Sequence, residues 1–321
     1  MIIMDYFQEH VFQNLPYPLK KMDQIVVPNK GTSAMENWVR MTFGYDYFLP
    51  LITSEMMGDV GSYHSNAVIV HELSHQWQGN LVTCAWWNEL WLNGGITVYW
   101  ESIGLLALYP QELIEQQQMK KTYNAFEIDI FPRHPMVPQN DTVFPNYVSK
   151  KLLYNCGTSI IKMVANMLGQ DTFLASIQNF LRAKAYSTAT TEDLWTHMEF
   201  GAQQSCVFAN MTPLSIKEVM DPWVKIPGYP IVSITRDHTS GRVVATQRTL
   251  ICTCSGFTTK SPLLGDVRCQ DGNITCNITE PKNPWHIWMT YYIPVSGVSG
   301  AQMLLPLAAG FLTSGKYDNK F

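Results

Sequence analysis

The sequence predicts an α+β chain in which a mostly helical domain is followed by a small β domain. Three observations predict it. From about residue 65 to 221 apolar residues recur at helical spacing, and beyond Asp221-Pro222-Trp223 short β-type runs alternate with turn residues. The length of 321 residues suits two domains at ~150 residues each. Hydrophobic residues make up 46% of the chain and charged residues 15%, against ~25% charged in an average soluble domain, so a packed core is expected rather than disorder. The formal charge of −4 leaves no basic footprint for a phosphate backbone, which argues against a nucleic-acid partner.

The elements follow in order. Residues Met1 to His10 lack both a basic start and an apolar stretch, so no signal peptide is readable. Ala67–Gly79 reads as a helix with Ile69, Leu73 and Trp77 on one stripe, and Ile96–Leu108 and Pro110–Asn124 as two more. Pro132, Pro135, Pro138 and Pro145 make 131–145 a loop. Helices resume over about 148–168, stopped by Gly169, then over 172–183, and over 191–199 behind the Thr190-Thr191-Glu192-Asp193 cap signal. The β runs are 231–235, 242–252 and 285–294, with 237–241 as a hairpin loop. No apolar run reaches the ~18–20 residues of a spanning helix; the most apolar tail segment, 298–312, is read as a strand or unpacked tail, not a membrane anchor.

Four of the seven cysteines, Cys252, Cys254, Cys269 and Cys276, crowd together near the C-terminus. Two local disulfides are expected, since the Cys-x-Cys spacing does not suit a zinc ribbon. Asn-x-Ser/Thr sequons at Asn140, Asn210, Asn273 and Asn277 fit the same oxidising, glycosylating compartment.

His71-Glu72-Leu73-Ser74-His75 is an H-E-x-x-H match on a predicted helix. At spacing i, i+4 two imidazoles project from one face and can ligate one zinc ion, while Glu72 can reach a metal-bound water as general base. Taken alone, the pattern equally suits two polar residues on the solvated face of an amphipathic helix.

The surrounding text narrows the choice. Gln76-Trp77-Gln78-Gly79-Asn80-Leu81-Val82-Thr83 and Trp86-Trp87-Asn88-Glu89-Leu90-Trp91-Leu92-Asn93 closely resemble the gluzincin aminopeptidases of the aminopeptidase N type. Ser33-Ala34-Met35-Glu36-Asn37-Trp38 resembles their G-A-M-E-N-W exopeptidase motif, Tyr154-Asn155-Cys156-Gly157 their Y-x-K-G, and Trp223 with Gly228-Tyr229-Pro230 their passage into a β-sandwich. The resemblance implies a thermolysin-like catalytic domain over 1–221 and an incomplete β-sandwich domain over 222–321. It implies one zinc ion held by His71 and His75, with Glu72 as general base. Ala34, Met35, Glu36 and Asn37 would bind substrate, Glu36 gripping the free α-amino group of a peptide, and Tyr154 would hydrogen-bond the oxyanion. Peptide N-termini are thus the implied partners, and an extracellular or cell-surface location the implied setting. Relatives carry further domains on both sides, so this chain reads as truncated.

One departure bears on the chemistry. The family's third ligand is a Glu separated from the second His by eighteen residues, and that position here is Gly94. Catalytic zinc normally takes three protein ligands plus water, so two histidines should hold it far more weakly. Glu101, about two helical turns further on, is too distant to substitute, and Glu89 would need a remodelled turn. Gly94-Gly95 should also weaken the start of its helix, by about 1 kcal/mol per glycine relative to Ala. Ser33 replaces a motif Gly, and Cys156 replaces the motif Lys, either as a thiol near the site or as a small buried hydrophobe. Two readings stand: an impaired zinc aminopeptidase removing N-terminal residues, or an inactive descendant that binds peptide N-termini or a partner protein.

Overall fold

The computed structural model describes residues 2–13, 15–28, 32–45, 54–129, 135–138, 151–205, 215–236, 243–254, 274–279, 287–293, 298–304 and 309–311. Asn140, Asn210, Asn273, Cys206, Cys269, the loop 237–241 and most of 131–145 lie outside them. The chain divides into two compact units, one of residues 1–125 and 150–201, the other of 126–149 and 202–321.

The first unit opens with α1 (Ile2–Tyr6), prolonged by a π-helical turn over Phe7–Val11. A three-stranded sheet follows, of β1 (Asp23–Val27), β2 (Ala34–Met35) and β3 (Arg40–Gly44), in the order β1-β3-β2. Strand β3 runs parallel to β1 and antiparallel to β2, so the Ala34-Met35 segment is an edge strand with Met35 opposite Thr42. Then come α2 (Ser54–Ser74), β4 (Val82–Cys84), α3 (Leu90–Leu105) and α4 (Gln111–Asp129). A π-turn over Leu152–Cys156 leads into α5 (Gly157–Leu168), followed by α6 (Gln170–Ala183), β5 (Ser187–Ala189) parallel to β4, and α7 (Thr191–Gln204).

Helix α3 is the central post. Its sequence, Leu-Trp-Leu-Asn-Gly-Gly-Ile-Thr-Val-Tyr-Trp, is apolar or small on every side, which is the pattern of a helix surrounded by protein. It packs along α2 on one side and α5 on the other. Around it the aromatic core interlocks: Phe12 stacks on Trp77 with ring centroids 4.5 Å apart and meets Trp100 edge-on at 5.3 Å, and Phe173 meets Tyr99 at 5.4 Å. Two of the four fully buried indoles have partners, Trp77 donating to the Leu15 carbonyl at 2.8 Å and Trp91 to Thr191 at 2.7 Å, while the N–H groups of Trp100 and Trp195 have none among the described residues.

Two expectations need correction. Helix α3 begins at Leu90, not Ile96, so Gly94 and Gly95 lie inside it and are buried. Their small size serves packing rather than loosening the helix: a Cβ on Gly95 would lie 2.7 Å from Cα of Gly157, letting α3 and α5 approach backbone to backbone. Helix α2 ends at Ser74, short of the expected Gly79, although His75 N–H still bonds to the His71 carbonyl at 3.1 Å and preserves the i, i+4 spacing.

In the second unit, α8 (Ile216–Lys225) is opened by a capping box of Ser215 and Glu218 and runs through Pro222, past the expected change of regime. Strands β6 (Pro230–Arg236), β7 (Val243–Cys254), β8 (Ile274–Thr279) and β11 (Ala309–Phe311) make an antiparallel sheet on β7. Strands β9 (Ile287–Ile293) and β10 (Val298–Leu304) form a separate hairpin. The tail segment read as strand or unpacked tail thus contributes β10 and β11. Among the described residues no helix is long and apolar enough to cross a membrane.

Candidate active site

The last turn of α2 and the turn after it carry His71, Glu72 and His75. Gly79 closes that turn at φ +119°, a conformation that favours glycine, and a Cβ there would sit 2.9 Å from His75 Nδ1. The turn brings the Gln78 carbonyl 2.9 Å from His75 Nδ1. A carbonyl can only accept, so Nδ1 carries the proton and Nε2 presents its lone pair. Thr97 on α3 supports the arrangement, its hydroxyl 3.2 Å from the same Nδ1 and donating to the same carbonyl at 3.3 Å.

His71 is fixed in the same way by a carboxylate. Its Nδ1 lies 3.1 Å from Oε2 of Glu101, while Lys121 Nζ donates to Oε1 of Glu101 at 2.8 Å. Burial pushes Glu101 up, but Lys121 and His71 outweigh it and hold the carboxyl down to about 2, so it is an ionised acceptor and His71 donates. Glu101 was set aside as a ligand on distance; its place is behind the histidine. The available signal was helical period, since 94, 97 and 101 share one stripe of α3.

Both Nε2 atoms therefore face each other, 3.2 Å apart. Two lone pairs at that distance repel unless a cation lies between them. Two bonds of ~2.0–2.1 Å at a tetrahedral angle would set the nitrogens about 3.3–3.4 Å apart, so the pair suits two positions on one zinc ion. A proton serves the same end. Burial alone pushes His71 down, but the bond and charge of Glu101, with Glu72, turn its shift upward; burial and then the neighbouring His71 hold His75 down to about 4. His71 is thus the proton donor of a metal-free pair.

The third position is another matter. Among the described residues no group of three His, Cys, Asp or Glu is placed to hold a metal ion. Gly94 offers no side chain, and the space a Cβ would enter is taken by Tyr154, whose Cε1 and Cδ1 would lie 2.5 and 2.7 Å from it. Glu89 is engaged elsewhere, accepting from the backbone and hydroxyl of Thr191. The donors present fit zinc as a pair and do not fit a three-ligand centre.

The predicted substrate segment is mounted on the same turn. The Glu36 carbonyl accepts from Asn80 Nδ2 at 2.8 Å and Gln76 Nε2 at 3.2 Å, and Gln76 also donates to the Glu72 carbonyl at 3.0 Å. Oε1 of Glu36 comes within 3.9 Å of His75 Nδ1, and its side chain is 23% exposed. Asn37 turns away to Thr42, and Met35 is exposed. Val39, two residues on, is held at φ 72°, a costly conformation for a β-branched residue, with its carbonyl taken by the Asp23 N–H at 2.7 Å.

Tyr154 sits within the π-turn, its ring centroid 5.6 Å from that of His71. Burial, then the charges of Glu36, Glu72 and Glu101, push its hydroxyl up to about 12, so it is a donor at neutral pH. Cys156 is buried, Sγ 3.9 Å from the Ala125 carbonyl, which favours the small-hydrophobe reading over a thiol in the cleft.

The sequence that builds this site has relatives among known proteins. The family model described as the peptidase family M1 domain matches residues 2–223. The chain belongs to peptidase family M1. Within it, the M1 chain is 30% identical to aminopeptidase N of Canis lupus familiaris over 94% of its own length and 28% of that protein's. It is 31% identical to aminopeptidase N of Oryctolagus cuniculus over 92% of its length and 28% of that protein's. It is 32% identical to aminopeptidase M1 of Arabidopsis thaliana over 72% and 25%. It is a member of the aminopeptidase N type, and it spans about a quarter of the length of the curated relatives it matches.

Proposed function

We infer that this M1 domain recognises the free amino terminus of peptides and hydrolyses them very slowly or not at all. The supporting observation is a contrast within one site: Glu36 is held by Gln76 and Asn80 beside the histidine pair, while position 94 supplies no third ligand. A part-exposed carboxylate beside the histidine pair suits an ammonium group, and its charge-assisted hydrogen bond selects a free amine over an acylated one. In this reading His71 and His75 are the metal pair, Glu72 is the family's general base, and Ala34 to Asn37 line the peptide. Tyr154 is the oxyanion donor of the family pattern, its ring lying against Gly94. In the same reading residues 1–221 are the thermolysin-like domain and 222–321 belong to a β-sandwich.

A second reading, a working zinc aminopeptidase, is favoured by the convergence of the two Nε2 atoms at 3.2 Å. Calorimetric titration with a short peptide and its N-acetylated form separates the two, alongside zinc content after dialysis and hydrolysis of an aminoacyl-anilide. Binding of the free peptide about tenfold tighter than the acetylated one, lost in Glu36→Gln, with no turnover, supports recognition without hydrolysis. One zinc per chain and turnover abolished by Glu72→Gln would replace it with the second reading.

The setting belongs to the same proposal. An extracellular or cell-surface location accords with the cysteine cluster and sequons. In β7 and β8 the register sets Cys252 opposite Cys276, and Leu250, Cys252, Cys254, Ile274, Cys276 and Ile278 alternate with Thr249, Ile251, Thr253, Thr275, Asn277 and Thr279.

A further inference from the structure

Among the described residues two non-glycine positions have a left-handed backbone, Val39 at φ 72° and Tyr186 at φ 60°. Each is costly for an L residue, most of all for β-branched Val39, and persists only where the surroundings impose it. Distant in sequence, the two meet in space: the rings of Trp38 and Tyr186 lie with centroids 6.2 Å apart and planes tilted by 35°. Short bonds pin both backbones, the Asp23 N–H donating to the Val39 carbonyl and the Tyr186 N–H to the Leu81 carbonyl, each at 2.7 Å.

Neither conformation fills the core. Tyr186 is 72% exposed, and Trp38 is half-buried, its indole N–H shut from water without an acceptor among the described residues. That ring is therefore held by packing and not by a hydrogen bond. What the pair borders is the Glu36 segment. Pairing of β2 with β3 fixes the start of the segment, and the bonds from Gln76 and Asn80 fix the Glu36 carbonyl. Beyond Glu36 the chain turns, with the Arg40 N–H donating to the Asn37 carbonyl at 3.0 Å, and Trp38 and Val39 are the two residues inside that turn. Leu81, on which Tyr186 is mounted, directly follows Asn80, so one stretch of backbone carries both the Glu36 bond and the Tyr186 anchor.

We propose that Tyr186 is a positioning residue for recognition of the peptide amino terminus: its ring, set by a left-handed backbone, braces Trp38 and so keeps Glu36 presented beside the histidine pair. The recognition half of this rests on Glu36 as the amine-binding group; the brace itself does not.

Tyr186→Asn, which tolerates the left-handed backbone but has no ring, is compared with Tyr186→Phe, which keeps the ring. Hydrogen exchange of residues 36–40, followed by mass spectrometry, reads the brace. Calorimetric titration with a short peptide and its N-acetylated form reads recognition. In Tyr186→Asn the exchange of 36–40 should quicken about three- to tenfold and the preference for the free amine should fall by about the same factor, with Tm within about two degrees of the unsubstituted chain. Tyr186→Phe should match the unsubstituted chain in both. Unchanged exchange at 36–40 in Tyr186→Asn, or equal quickening in Tyr186→Phe, overturns the proposal. So does quickening spread evenly over the helices, which marks general loosening, and so does local quickening with an unchanged preference, which leaves Tyr186 a merely structural part. If the unsubstituted chain shows no preference for the free amine, the reading of Glu36 fails, while quickening confined to 36–40 still upholds the brace.

Discussion

Glu101 bonds His71 Nδ1 at 3.1 Å across thirty residues of sequence, and Lys121 holds its other oxygen at 2.8 Å. The carboxylate fixes both the tautomer and the direction of the imidazole, which leaves Nε2 aimed at its partner on His75. Partners of this kind raise ligand basicity and orient the ring.

Glu101→Gln should therefore weaken zinc binding by about 10–100-fold while leaving the histidines in place. Lys121→Ala, which leaves the carboxylate, should cost less. Competitive zinc titration of the two variants measures both, and equal losses would contradict the order of the relay.

The same carboxyl makes a pH prediction. Its folded value of about 2 lies below its ordinary 4.5, so its stabilisation is complete above about pH 4.5 and is lost as pH falls toward 2. His75 works in the window above: held down to about 4 from 6.5, it stays neutral when folded while the unfolded chain takes up a proton, so stability falls between pH 6.5 and 4. Denaturant unfolding followed against pH should show both slopes, and Glu101→Gln should remove the lower one.

Gly157→Ala should destabilise by ~1–3 kcal/mol, because the added methyl meets the Gly95 backbone at 2.7 Å and no side chain can turn aside. Chemical denaturation reads this directly. A neutral result would mean that α3 and α5 separate freely.

Strand register makes a covalent prediction. Directly opposed residues in an antiparallel pair have Cα atoms about 4.5–5.5 Å apart in either kind of pair, inside the range a disulfide spans. Chain made in an oxidising compartment and digested without reductant should yield a peptide joining Cys252 to Cys276, the two thiols having given two electrons and two protons to a disulfide oxidant. Alkylation of both thiols in the unreduced, unfolded chain would refute it.

Much of this was legible in the sequence. Helical period places the histidines on one face, and residue counting from His75 finds Gly94 where a ligand is expected. Periodicity also locates α4, α6, α7, β6, β7 and β9 to within about five residues, and finds the end of α5 at Leu168 but starts it about nine residues too early, across the π-turn. It misses β1 to β5 and α8, because short strands beside a helix take their identity from neighbours far along the chain, and Pro222 hides a helix held by its capping box and by buried Ile216, Val219, Met220 and Val224.

What the sequence by itself determined is the family, the histidine pair and the gap at position 94. Only the tertiary structure decided what fills that gap, what stands behind each histidine, and why Gly95 is small. The physical reason is that a helix's own period says which residues share a face, whereas the partner of that face depends on how separate helices pack. Tyr154 reaches Gly94, and Glu101 reaches His71, only because α3 is pressed between α2 and α5.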